Sequence, residues 1–159
     1  MIVVTGGAGF IGSCLVKKLN EMGRDDIVIV DRLRDSSKWL NLRGLKFEEY
    51  IFADHLFNGH HDETLYETEA IFHMGACSST TETNMDYLYE NNVVYSQGLF
   101  EFCTEKGIPF VYASSAATYG NGEGGFSDAH ENISKLNPIN RYGYSKQLFD
   151  EWVLKQTNT

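Results

Sequence analysis

Tyr142 and Lys146 stand four residues apart, a spacing that puts both on one face at the start of a helix. A phenol with its ordinary pKa of about 10 is a poor base at neutral pH. A fixed positive charge nearby favours the phenolate, so the pair could take a proton from an alcohol. Ser115 follows the strand-like run Phe110 to Ala113, at the carboxyl end where open α/β sheets bind ligands. Its hydroxyl could hydrogen-bond the same alcohol oxygen and hold its geometry. Tyr144 is the local competitor, but Ser145 and Lys146 follow it too closely for the four-residue geometry. Taken alone, a tyrosine and a lysine at helical spacing are ordinarily a packing residue and a surface charge.

A second constellation near the first residues changes that weighting. Thr5, Gly6, Gly7, Ala8, Gly9, Phe10, Ile11 and Gly12 lie between a Val/Ile run and a segment of helical period. Small residues there let the backbone turn tightly, approach a pyrophosphate and present helix N-terminal amides to its charge. Asp31 ends the next apolar run, about twenty residues on, where a carboxylate accepts hydrogen bonds from an adenosine ribose. Strand, turn, helix and acid together form a dinucleotide fingerprint. The carboxylate alone favours NAD, because it repels a 2′-phosphate. Arg32, Arg34 and Lys38 follow it, however, and such cations accommodate that phosphate, so the expected cofactor is NADP. Its nicotinamide ring would add positive charge near Tyr142 and accept the hydride that leaves the alcohol.

The elements that must position these groups read as alternating strands and helices, the mark of a parallel sheet covered by helices. Ile2 to Val4 forms a buried strand; Ile11, Leu15, Val16 and Leu19 recur at helical spacing until Gly23 stops the helix. Ile27 to Val30 is the second strand, and a third is expected within Lys46 to Tyr50. Ala70 to His73 is the fourth, Asp86 to Lys106 a long helix closed by Gly107, and Phe110 to Ala113 the fifth. Gly120 to Asn140 reads as a loop, and a last helix begins near Tyr142. The expected fold class is α/β, a Rossmann-type doubly wound parallel sheet. A single NADP-binding domain over residues 1–159 is expected, and the chain reads as truncated before a substrate domain.

The 159 residues are 42% hydrophobic, enough for one core. A net charge of −9 argues against a nucleic-acid partner, whose phosphates require a dense field of Lys and Arg. Three cysteines without framework spacing and an opening without an export signal point to a reducing, cytoplasmic setting. No apolar run approaches the roughly 20 residues that span a bilayer, so no membrane anchor is expected in this stretch. His73 and Cys77 lack the further ligands a metal site needs, and no metal is expected. Cys14 and Cys103 read as core residues, and Tyr87, Phe100 and Phe102 as packing.

TGGAGFIG at 5 to 12, SSAATYG at 114 to 120 and YGYSK at 142 to 146 resemble the extended short-chain dehydrogenase/reductase family. HMGACSSTTET at 73 to 83, DRLRDSSKWLNL at 31 to 42 and YASSAATYG at 112 to 120 are similar to its ADP-heptose 6-epimerase branch. That resemblance implies an NADP held through turnover, oxidation of a sugar C6 alcohol to a ketone, and return of hydride to the opposite face, on the way to the lipopolysaccharide inner core. It implies Phe10 and Ile11 against the pyrophosphate, Asp31 and Arg32 against the ribose, and Lys38 near the 2′-phosphate. Met74, Gly75, Ala76, Cys77, Ser78 and Asn92 would line the cofactor's other flank, with Ser115, Tyr142 and Lys146 at the chemistry. Met74 departs from the Glu of the family pattern, and Ala53 stands near the place of a cofactor-binding lysine. A second catalytic lysine and a sugar-binding domain would lie beyond Thr159, and the full-length enzyme would be a homo-oligomer.

Two rivals share the scaffold or the cofactor. Another nucleotide-sugar 4-epimerase or 4,6-dehydratase is the nearer; a dehydratase needs an acid and base beside the serine, where Ala116 and Ala117 stand. A non-catalytic NADP-sensing regulator would be expected to lose the Tyr and Lys pair, which is present.

Overall fold

A computed structural model describes residues 1–57 and 65–157 of the chain. These fall into two compact units: residues 1–75 with 103–112, and residues 76–102 with 113–159.

The first unit holds a five-stranded parallel sheet of β1 (Ile2–Thr5), β2 (Ile27–Asp31), β3 (Glu49–Phe52), β4 (Ala70–His73) and β5 (Phe110–Tyr112) in the order β3-β2-β1-β4-β5. This is the Rossmann-type order expected from the sequence. β1 and β2 are buried throughout because their Val and Ile side chains face apolar neighbours on both sides, as interior parallel strands require. The order reverses between β1 and β4, whose carboxyl ends lie side by side with Thr5 opposite His73. In folds of this kind, ligands bind at that reversal.

Helix α1 (Phe10–Glu21) follows β1 and buries Gly12, Ser13, Val16 and Leu19. Cys14 lies on the opposite face and is exposed, which corrects its reading as core; Cys103 is buried as expected. Burial pushes the Cys103 thiol up to about 11. Gly23 ends α1 with φ +83°, a backbone conformation that suits glycine. The third strand starts later than the sequence suggested. Asn20 takes the Lys46 N–H and donates to its C=O at 2.9 Å each, so Lys46 stays out of the ladder. Leu45 and Phe47 turn instead onto the apolar cluster of Ile2, Val4, Val16, Leu19, Ile27 and Ile29.

The second unit carries helix α2 (Met85–Tyr89), a π turn over Glu90–Val94, the start of α3 (Tyr95–Lys106), and helix α4 (Arg141–Thr157). The sequence expected one helix from Asp86 to Lys106. The π turn within it sits where Asn91 and Asn92 are buried, and such turns concentrate at functional positions. Short 3₁₀ turns at Ala116–Tyr119 and His130–Lys135 complete the unit, the latter inside the expected loop. Phe100, Phe149 and Trp152 pack as an aromatic group, with Trp152 stacked on Phe149 at 5.9 Å and edge-on to Phe100 at 5.4 Å. Among the described residues no helix is long and apolar enough to cross a membrane.

Candidate functional site

The glycine turn in the first unit is built from backbone too close to admit side chains. A Cβ at Gly12 would meet the Gly6 carbonyl oxygen at 2.2 Å, and one at Gly6, whose φ is +66°, would meet the Gly75 nitrogen at 2.6 Å. The turn is held by the Gly6 N–H to Val30 O (2.7 Å) and the Gly9 N–H to Gly6 O (2.9 Å). No side chain caps the start of α1, and no acid lies in its first turn. Its opening amides are thus left for an anion, as the fingerprint demands. Phe10 and Ile11 stand 81% and 63% exposed beside them, unusual for large apolar side chains unless a ligand covers them.

Asp31 is buried at the end of β2 and accepts the Ala8 N–H at 2.9 Å, the Arg32 N–H at 2.7 Å and the Lys38 ammonium at 2.5 Å. The acid expected to receive a ribose also locks the glycine turn. Lys38 lies in the 3₁₀ turn Ser37–Leu42, which is tied back to the fingerprint by the Asn41 amide donating to Ala8 O at 2.8 Å. Arg32 reaches Asp54, whose carboxyl it holds below the usual range. Met74 and Gly75 lie at the end of β4: the Met74 N–H donates to Thr5 O and the Gly75 N–H to Thr5 Oγ1, both at 3.1 Å. His73 is buried, shares a 2.6 Å hydrogen bond with Thr5 Oγ1 and stacks on Phe110, a structural role. The structure therefore brings Gly6, Gly9, Phe10, Ile11, Gly12, Asp31, Arg32, Lys38, Met74 and Gly75 together within this unit. The roles of Thr5, Asn41 and Asp54 in holding it were not read from the sequence.

In the second unit, Asn140 Oδ1 accepts the Gly143 N–H at 2.7 Å and opens α4. Gly143 lets that first turn lie flat on the turn Ala116–Tyr119, since a Cβ there would meet Ala117 O at 2.6 Å. Ser115 caps the same turn, its Oγ accepting the Ala117 N–H at 3.2 Å with its own O–H still able to donate. Tyr142 is half-buried and Lys146, one turn along α4, is 2% exposed. Burial pulls the Lys146 ammonium below the usual lysine range, against an opposing pull from Asp150. Asn92 is fully buried: its side chain accepts the Cys77 N–H at 2.8 Å and donates to Cys77 O at 3.0 Å and to Ser145 Oγ at 2.9 Å. Ser145 in turn donates to Tyr142 O at 2.7 Å. This relay ties Cys77, between Ala76 and Ser78, to the helix that carries Tyr142 and Lys146. Ser114 and Asp150, joined at 2.5 Å, were missed at the sequence level.

A match to the NAD dependent epimerase/dehydratase family spans residues 2–159. The chain belongs to that family. It is 53% identical over 161 residues to an ADP-L-glycero-D-manno-heptose-6-epimerase of Fusobacterium nucleatum, covering 99% of this chain and 48% of the relative. The ADP-L-glycero-D-manno-heptose-6-epimerase of Helicobacter pylori superposes with a TM-score of 0.80 at 33% identity, covering 98% of this chain and 50% of that one. A UDP-glucuronic acid 4-epimerase from Bacillus cereus in complex with NAD superposes at 0.74 with 26% identity, over 94% and 49% of the two chains. The chain spans about half the length of the curated relatives it matches.

Proposed function

We propose that this chain is the NADP-binding Rossmann part, residues 1–159, of an epimerase that inverts C6 of ADP-glycero-manno-heptose in the supply of lipopolysaccharide core precursors. The observation that carries the reading is the second unit's helix α4, with Tyr142 and buried Lys146 on one face and its first turn packed on the turn that Ser115 caps. The two heptose-epimerase relatives support the choice of sugar. In this reading Tyr142 takes the proton of the C6 alcohol and later returns it, Ser115 donates a hydrogen bond to the same oxygen, and Lys146 supplies the charge that favours the phenolate. A nicotinamide dinucleotide, when bound, accepts the C6 hydride and gives it back to the opposite face of the 6-ketone. The glycine turn fits such a ligand, because backbone at Gly6, Gly9 and Gly12 is bare and the α1 amides carry no side-chain cap. Cys77 and Asn92 would hold its other flank. The setting is cytoplasmic and the full-length enzyme a homo-oligomer.

The ion pair of Lys38 with Asp31 is the reason to prefer NADP. It cancels the carboxylate charge that would repel a 2′-phosphate and sets a cation beside the ribose position. In the full-length enzyme Lys38→Ala is expected to weaken NADP at least about tenfold, as loss of a charge-assisted contact does, with NAD changed less than about twofold. Titration of both dinucleotides measures this, and an unchanged ratio removes the preference. The reading as a whole is tested by incubating full-length enzyme with ADP-D-glycero-D-manno-heptose and following the L-glycero epimer by NMR. No interconversion, with a UDP-hexose turned over instead, would pass the site to a 4-epimerase.

A further inference from the structure

Asp150 is a carboxylate with no place in the proposed chemistry, yet it is 7% exposed. It stands on α4 four residues after Lys146, as Lys146 stands four after Tyr142, so the three share one face of the helix. Its Oδ2 accepts the Ser114 hydroxyl at 2.5 Å, across 36 residues of sequence. Ser114 is the residue before Ser115, so this hydrogen bond ties the strand-end segment to α4. We propose that Asp150 is a positioning residue: through Ser114 it fixes Ser115 against the helix that carries Tyr142 and Lys146, and its negative charge backs the Lys146 ammonium.

Two physical arguments support this. A buried carboxylate is costly unless it is hydrogen-bonded or paired, so one kept at this position must be compensated by what it touches. It touches the neighbour of one reacting side chain and, electrostatically, acts on another. The elements packed on α4 are α2, the π turn, the start of α3 through Phe100, and the turns Ala116–Tyr119 and His130–Lys135. Their charged or titratable groups Asp86, Tyr89, Glu90, Glu101, His130, Glu131 and Lys135 are all exposed, the phenols of Tyr87, Tyr95 and Tyr119 are half-buried, and Tyr142 precedes Lys146 on α4 itself. Asp150 is thus the buried acid of this set.

The inference rests on the proposed reading, so its test includes a measurement that needs no substrate. In full-length enzyme with ¹⁵N-labelled lysine side chains, Asp150→Asn is expected to lower the pH at which Lys146 loses its proton, and Asp150→Glu to restore it. The alkaline limb of the kcat profile should move down with it, while KM for the sugar stays close to wild type. Ser114→Ala is expected to leave that titration in place and to cut kcat roughly tenfold, since small misplacements of reacting groups are costly. A Lys146 titration unchanged in Asp150→Asn, or a wild-type kcat in Ser114→Ala, overturns the proposal. Should Asp150→Asn fail to fold, Asp150→Glu and Ser114→Ala decide it. If wild-type enzyme does not interconvert the heptose epimers, the assigned reaction fails, and the lysine titration still answers for Asp150.

Discussion

In the full-length enzyme, Tyr142→Phe is expected to lower kcat for heptose epimerisation by roughly 10²–10⁴-fold, the range that a positioned acid/base group supplies. The phenyl ring keeps the volume of the half-buried side chain, and the backbone carbonyl that receives Ser145 Oγ is untouched. Folding and dinucleotide affinity should therefore stay close to wild type. The loss should fall on kcat rather than KM, because the proton transfer stabilises the transition state and not the bound sugar. Rates of epimer interconversion, read beside a thermal melt, check both halves of the expectation. A variant that turns over at the wild-type rate would remove Tyr142 from the chemistry.

The second large effect is expected at Gly12. A methyl group there would sit 2.2 Å from Gly6 O and 2.8 Å from both Gly6 C and Gly7 Cα, all backbone atoms with no rotamer to escape into. The turn must open to admit it, which moves the α1 amides proposed to receive a pyrophosphate. Gly12→Ala is expected to cost about 1–3 kcal/mol of stability as overpacking does. It should weaken dinucleotide binding by at least about 100-fold, or about 2.7 kcal/mol. Gly23→Ala is the control: its φ is +83° but nothing lies within 4 Å of an added Cβ, so a stability loss near 1 kcal/mol with unchanged binding is expected. Calorimetric titration and melting separate the two; equal binding in both variants would deny the turn its role.

Legibility followed the physics of each element. β1, β2 and β4 could be read because short apolar runs between turn signals have few other uses. β3 begins inside the expected stretch but runs on to Phe52, because an edge strand with Glu49 and Tyr50 half-buried carries no clean period, and Asn20 of helix α1 holds Lys46 out of it. The π turn is invisible in the pattern from Asp86 to Lys106, since one added residue per turn barely disturbs a helical stripe. Cys14 was misplaced because a small thiol in a helix gives no sign of which face it takes. The glycine turn, Asp31, Ser115, Tyr142 and Lys146 stood out through spacing together with their place at strand ends and helix starts. Asn41, Ser114 and Asp150 did not, because their meaning lies in partners 33 and 36 residues away in the chain.

The chain has two tryptophans, and they sit in opposite surroundings. Trp152 is wedged between two phenylalanine rings, whereas Trp39 is 54% exposed in the short turn whose neighbours Lys38 and Asn41 grip Asp31 and Ala8. The molecule thus carries its own optical reporter: one indole half-buried between aromatic rings, the other open to iodide quenching at the rim of the glycine turn. With Trp152 changed to Phe, the remaining emission would register the arrival of a dinucleotide without any attached dye.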